Sequence, residues 1–189
     1  MTKIFTFSLL LISTLVFTSC GGGSSKQEAN ATGFSVIESQ IKDKFGEEAY
    51  YTDLSITYNE SIGNIVSVTV TDNPESLKMA QWNQTQDNWN QTSEVTIEIP
   101  EGTKAADFMF QLNESHNLKK LGELVEKSKT QLTEEKKLEK PKLHLAAVKY
   151  PDTGEVSKAE YVVMLQPKNG GTTFSFSYTL AGELIKMDY

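Results

Sequence analysis

Two amphipathic stripes with helical spacing, each followed by runs in which apolar and polar residues alternate, constrain this 189-residue chain most. Phe34, Ile37, Ile41 and Phe45 recur every three or four residues, so they fall on one face of a helix, with Gly46 suited to its C-terminal cap. Ser35 and Glu38 have the spacing of a capping box at its start. Leu54, Ile56 and Tyr58, then Val66, Val68 and Val70, alternate around Ser61–Asn64 and predict a hairpin over 53–71. The order then recurs. Leu118, Leu121, Val125 and Leu132 mark a longer helix, expected to be capped near Asn113 or Ser115 and to stop before Pro141. Leu143, Leu145 and Ala147, then Tyr161, Val163 and Leu165, alternate on either side of a turn at 151–154. A turn at 168–171, a strand over 173–178 and a last strand at 184–187 complete the pattern.

Residues 74–99 admit two readings. Trp82 and Trp89 are seven apart and would share a face of a helix begun by Asn73 and Pro74. The intervening residues are rich in Asn and Thr, which compete poorly inside helices, and Gln86-Asp87-Asn88 suits a turn. A hairpin is therefore favoured, with Val95, Ile97 and Ile99 on its second strand. The expected fold class is α+β, in two tandem halves at 34–105 and 106–189, each a helix packed on a roughly four-stranded antiparallel sheet. Phe108, Phe110 and Leu112 are too apolar for a free linker and are expected to pack between the halves as one core. A helix covers one face of such a sheet, so the other meets solvent or a partner.

The first twenty residues carry an address. Lys3 precedes an apolar stretch, Ile4 to Phe17, shorter than the roughly 20 residues needed to span a bilayer, and small residues follow it. Residues 1–19 read as a signal peptide. Phe17-Thr18-Ser19-Cys20 resembles the lipobox of bacterial lipoproteins, with Phe where Leu is more usual. The resemblance implies a diacylglycerol thioether on Cys20, cleavage before it, and a lipid bilayer as partner through the acylated (palmitate-type) anchor. Two or three acyl chains make a durable anchor where one does not. Gly21 in place of Asp implies the outer membrane, on either side of it. Residues 20–33, opening with Gly21-Gly22-Gly23-Ser24-Ser25, read as a lipidated flexible tether.

Composition narrows the function by exclusion. Beyond residue 19 the chain has 17 lysines, no arginine and 25 acids, a net charge of −8. Nucleic-acid affinity rests on Lys and Arg neutralising phosphates, so no nucleic-acid partner is expected. One cysteine permits no internal disulfide and no thiolate zinc cluster. His116 and His144 have no partner at metal-ligand spacing, and no GxSxG, phosphate loop or dinucleotide fingerprint occurs. No metal, no cofactor and no catalytic residue are assigned.

Tandem helix-plus-four-strand halves resemble the architecture of beta-lactamase inhibitor proteins, and each half is similar to the PepSY-type modules of bacterial envelope proteins. The resemblance lies in element order over 34–189 and implies a binding habit without naming a residue. The expected protein is a non-enzymatic envelope lipoprotein whose exposed sheet face binds an envelope protein or polymer. Trp82 and Trp89 are the candidate anchors on that face, as rigid aromatics are in many interfaces; the plainer alternative places them in the core. A cell-wall hydrolase and an assembly accessory are the competing readings.

Overall fold

The computed structural model describes residues 23–151 and 153–189; the leader and Cys20 lie outside them. Helix α1 (Ala31–Phe45) leads into strands β1 (Tyr50–Asn59), β2 (Gly63–Thr71), β3 (Lys78–Thr85) and β4 (Asn88–Thr96). Helix α2 (Leu118–Glu135) leads into β5 (Lys142–Lys149), β6 (Glu160–Gln166), β7 (Phe174–Thr179) and β8 (Leu184–Asp188). The stretch 74–99 forms the expected hairpin. Gln86 and Asp87 both adopt positive φ at its tip, the geometry that two-residue hairpin loops require.

The strands form one antiparallel sheet in the order β4-β3-β2-β1-β5-β6-β7-β8. This corrects the expectation of a separate sheet in each half. β1 pairs with β5 from Asp53↔Lys149 to Thr57↔Leu145. That pairing turns two would-be edges into interior strands and puts β4 and β8 at the edges of the sheet among the described residues. Both helices lie on one face. Phe34, Ile37 and Ile41 of α1, Leu121 and Val125 of α2, and Leu54, Ile56, Val66, Val163 and Phe176 of the sheet join one buried cluster. Each such side chain contributes roughly 1.5–3 kcal/mol by leaving water. Phe110 and Leu112 belong to the same cluster, as expected, while Phe108 is half-buried.

The helices pack antiparallel and close each other's ends. Asn30 and Asn117 are the N-caps, accepting from Gly33 N and Lys120 N at 2.8 Å each. These replace the expected caps. Ser35 lies inside α1 and bonds back to the Ala31 carbonyl, and Asn113 shapes the turn before α2 by accepting from Ser115 and His116. Glu38 of α1 accepts from Leu118 N at 2.7 Å, and Glu126 of α2 accepts from Ala31 N at 3.1 Å. Each carboxylate thus meets the other helix's positive end, where a negative charge stabilises by about 0.3–1 kcal/mol.

Residues 23–30 do not form the flexible tether read from their glycines and serines. Ser24 is buried, and the Asn64 side-chain amide donates to the carbonyls of Ser24 (2.9 Å) and Gln27 (2.7 Å). The Gln40 side-chain oxygen accepts from Ser24 N, the Asp87 carboxylate accepts from Ser25 N, and the Lys129 ammonium reaches the Ala29 carbonyl. Gly63 lets this segment in, because a Cβ there would lie 2.9 Å from the Ser25 carbonyl carbon. The polar partners that hold the segment lie as many as 100 residues away in sequence, so its local composition does not reveal them.

Candidate functional site

The face opposite the helices is built by strand register. Across its middle run Asn83, Ser67, Ser55, Ala147, Val162, Ser177 and Lys186, each paired with its neighbour on the next strand. A parallel row places Ile65, Thr57, Leu145, Met164 and Ser175 side by side. The next row toward the opposite end carries Thr69, Asp53, Lys149 and Glu160, whose charges alternate in sign. Hydroxyls and amides occupy the β1–β3 side, where Asp53, Ser55, Ser67, Thr69, Gln81 and Asn83 line a shallow cavity of about 230 Å³. Leu145, Ala147, Val162 and Met164 make a half-exposed apolar strip beside them. Such a surface offers many neutral donors and acceptors next to a small greasy band, and little fixed charge in its centre.

That strip departs from the sequence expectation. Leu145 and Ala147 alternate with Leu143 and were expected to point inward with it. The register slips between Leu143 and Leu145, so Leu143, Ala146 and Val148 are buried instead. A bulge adds one residue and reverses the faces beyond it; His144 sits at that bulge and is exposed.

Trp82 and Trp89 lie on the helix side, not on the open face. Trp82 pairs with Val68, and Gln84, which pairs with Trp89, also pairs with the buried Val66. Both rings meet Phe45 edge-on, at 5.7 and 4.9 Å between centroids, and Lys44 stands 4.7 Å above Trp82. The phase of β3 decides this: Trp82 shares parity with Gln84 and Ala80, so the strand's polar members Gln81 and Asn83 face outward. Trp82 and Phe45 remain half-buried and line a groove of about 470 Å³ beyond the end of α1. The end of the open face nearest the α1–β1 connection is covered as well, by a small cluster of Met79, Ala105 and Met109 with Val95, Ile97 and Ile99.

Among the described residues no three His, Cys, Asp or Glu side chains are grouped to hold a metal ion. No helix among them is long and apolar enough to cross a membrane. His116 is buried between Phe110 and Tyr150, and neither ring nitrogen has a hydrogen-bond partner. Burial holds its pKa below the usual 6.5. The unfolded chain therefore takes up the proton first: the stability carried by neutral His116 is complete above about pH 6.5 and is lost as pH falls through the folded-state value. His116→Leu is expected to stay within about 1 kcal/mol of wild type at pH 7.5 and to lose less stability than wild type between pH 7.5 and 5. Urea unfolding at the two pH values measures this, and equal losses would refute it.

No family model matches the chain, and no curated protein matches it. Among solved structures the fold is similar to the crystal structure of a candidate lipoprotein from Clostridium difficile 630, at 12% identity and a TM-score of 0.50. The match covers 89% of this chain and 99% of that one. At such identity the likeness shows a shared fold of helices on an antiparallel sheet.

Proposed function

We propose that this protein is a lipid-anchored protein of the bacterial envelope, and that its open sheet face is a non-catalytic docking surface for an envelope protein or polymer. The observation that carries the docking role is the face itself: seven registered positions across the sheet, amide and hydroxyl at Asn83, Ser67 and Ser55, apolar at Ala147 and Val162, then Ser177 and Lys186, on the side away from both described helices. The lipobox-like Phe17–Cys20 supports the anchor, and the candidate-lipoprotein character of the structural neighbour agrees with it. Gly21 favours an outer-membrane destination on the same resemblance. The body reads as two tandem halves: the matched Asn caps and reciprocal Glu38 and Glu126 contacts are what an internal two-fold relation would produce.

Ala147→Lys and Val162→Lys, at adjacent half-exposed positions of the strip, test the docking role. Crosslinking in intact envelopes should give at least a tenfold weaker adduct for each variant than for wild type, with melting temperatures unchanged. Trp82→Phe should keep the adduct. Adducts that persist in both lysine variants would refute the open face as the docking surface.

A further inference from the structure

The two ends of the sheet differ sharply in charge. The connections at the far end, 46–49, 72–77, 97–117, 150–159 and 180–183, carry ten acids and two lysines among the described residues. The near end comprises 23–30, 60–62, 86–87, 136–141 and 167–173, and carries four acids and five lysines. A chain with a net charge of −8 beyond its leader thus concentrates its negative charge at one end. At the other end a groove of about 930 Å³ is lined by five lysines (Lys26, Lys129, Lys140, Lys142 and Lys168) against two carboxylates, Glu28 and Glu126. Lys142 pairs with Glu60, and Lys129 donates to the Ala29 carbonyl. Lys26, Lys140 and Lys168 make no ion pair within 4 Å among the described residues, although Lys168 is close enough to help hold the Glu60 carboxylate below its usual pKa after Lys142.

The chain enters the body at this same end. Because residues 23–30 are docked, only two residues lie between Cys20 and Gly23, and the three Cα–Cα steps reach at most about 11 Å. That reach is close to the distance, roughly 8–10 Å, over which physiological salt screens charge. A bilayer holding the Cys20 lipid would therefore lie within electrostatic range of the lysines, while the acidic end would lie a strand length farther away.

We infer that the lysine-bearing end of the sheet, around Lys26, Lys140 and Lys168, rests on an anionic lipid headgroup surface and orients the body with its acidic end outward. This rests on the lipid anchor proposed above. The sheet then stands on its end, with the open face presented sideways to partners anchored in the same membrane.

The test uses the full acylated protein in vesicles of phosphatidylcholine with one quarter phosphatidylglycerol. A fluorophore is placed at Asn169→Cys (near end) or Ala181→Cys (far end) and quenched by headgroup spin-labelled lipid. Quenching is expected to be at least fivefold stronger at 169 than at 181. Combined Lys26→Glu, Lys140→Glu and Lys168→Glu should at least halve that ratio; combined Lys78→Glu, Lys104→Glu and Lys158→Glu at the far end should not change it. Equal quenching at both positions, or a ratio indifferent to the near-end reversal, would overturn the orientation with the anchor intact. Intact mass taken before reconstitution reports the anchor separately, and a chain lacking acyl mass would overturn both.

Discussion

Gly122→Ala is expected to destabilise the protein by about 2–3 kcal/mol, although the same exchange inside an isolated helix gains about 1 kcal/mol. Gly122 is buried in α2 where the start of α1 crosses it. A Cβ there would fall 2.7 Å from the Ala31 Cα and closer still to the Asn30 carbonyl. These are backbone atoms and cannot rotate away. Relief would require α1 to lift off α2, loosening the Asn30 cap and the Glu126 contact to Ala31 N together. Urea denaturation measures the loss, with the exposed helical exchange Ser39→Ala, expected within about 0.5 kcal/mol of wild type, as the control. A Gly122→Ala protein at least as stable as wild type would mean that the helices do not approach so closely.

Asn64→Ala is expected to release the N-terminal segment while leaving the sheet folded. Asn64 is 2% exposed, and its amide nitrogen alone holds two carbonyls of that segment. Removing it leaves both carbonyls without that donor where the segment packs on β2, a cost of about 2–3 kcal/mol concentrated locally. Local opening free energies are read by hydrogen exchange. The amides of residues 24–27 should exchange roughly 30- to 150-fold faster in the variant, at 1.4 kcal/mol per tenfold, with the β1, β2 and β5 core amides far less affected. Wild-type amides 24–27 already exchanging at unstructured-peptide rates would contradict the docking.

Most elements of the fold were legible, because burial on one side of a sheet or helix leaves a period in the sequence. The stripe Phe34–Ile37–Ile41 and the alternations Val66–Val68–Val70 and Tyr161–Val163–Leu165 are buried as read. What escaped depends on partners distant in the chain or on a single inserted residue. The caps fell at Asn30 and Asn117 because carboxylates from the opposite helix complete those ends. The bulge beside His144 moved Leu145 and Ala147 outward without disturbing the apparent alternation. The polar rows of the open face were visible as Ser55, Thr57, Ser67 and Asn83, but aromatic residues drew the expectation to Trp82 and Trp89. The glycines at 23, 33, 63 and 122 resemble linker or helix-weakening residues in sequence, yet in the fold each marks a close approach by another part of the chain.

The proposed thioether at Cys20 would be the single attachment through which the docked segment 23–30 controls the position of the body. Intact-mass spectrometry of protein extracted from bacterial membranes measures it directly. The predicted result is a chain beginning at Cys20 and heavier than its residues by a diacylglyceryl group, absent from Cys20→Ala. A mature chain with an unmodified Cys20 thiol, or one beginning beyond Cys20, would contradict it.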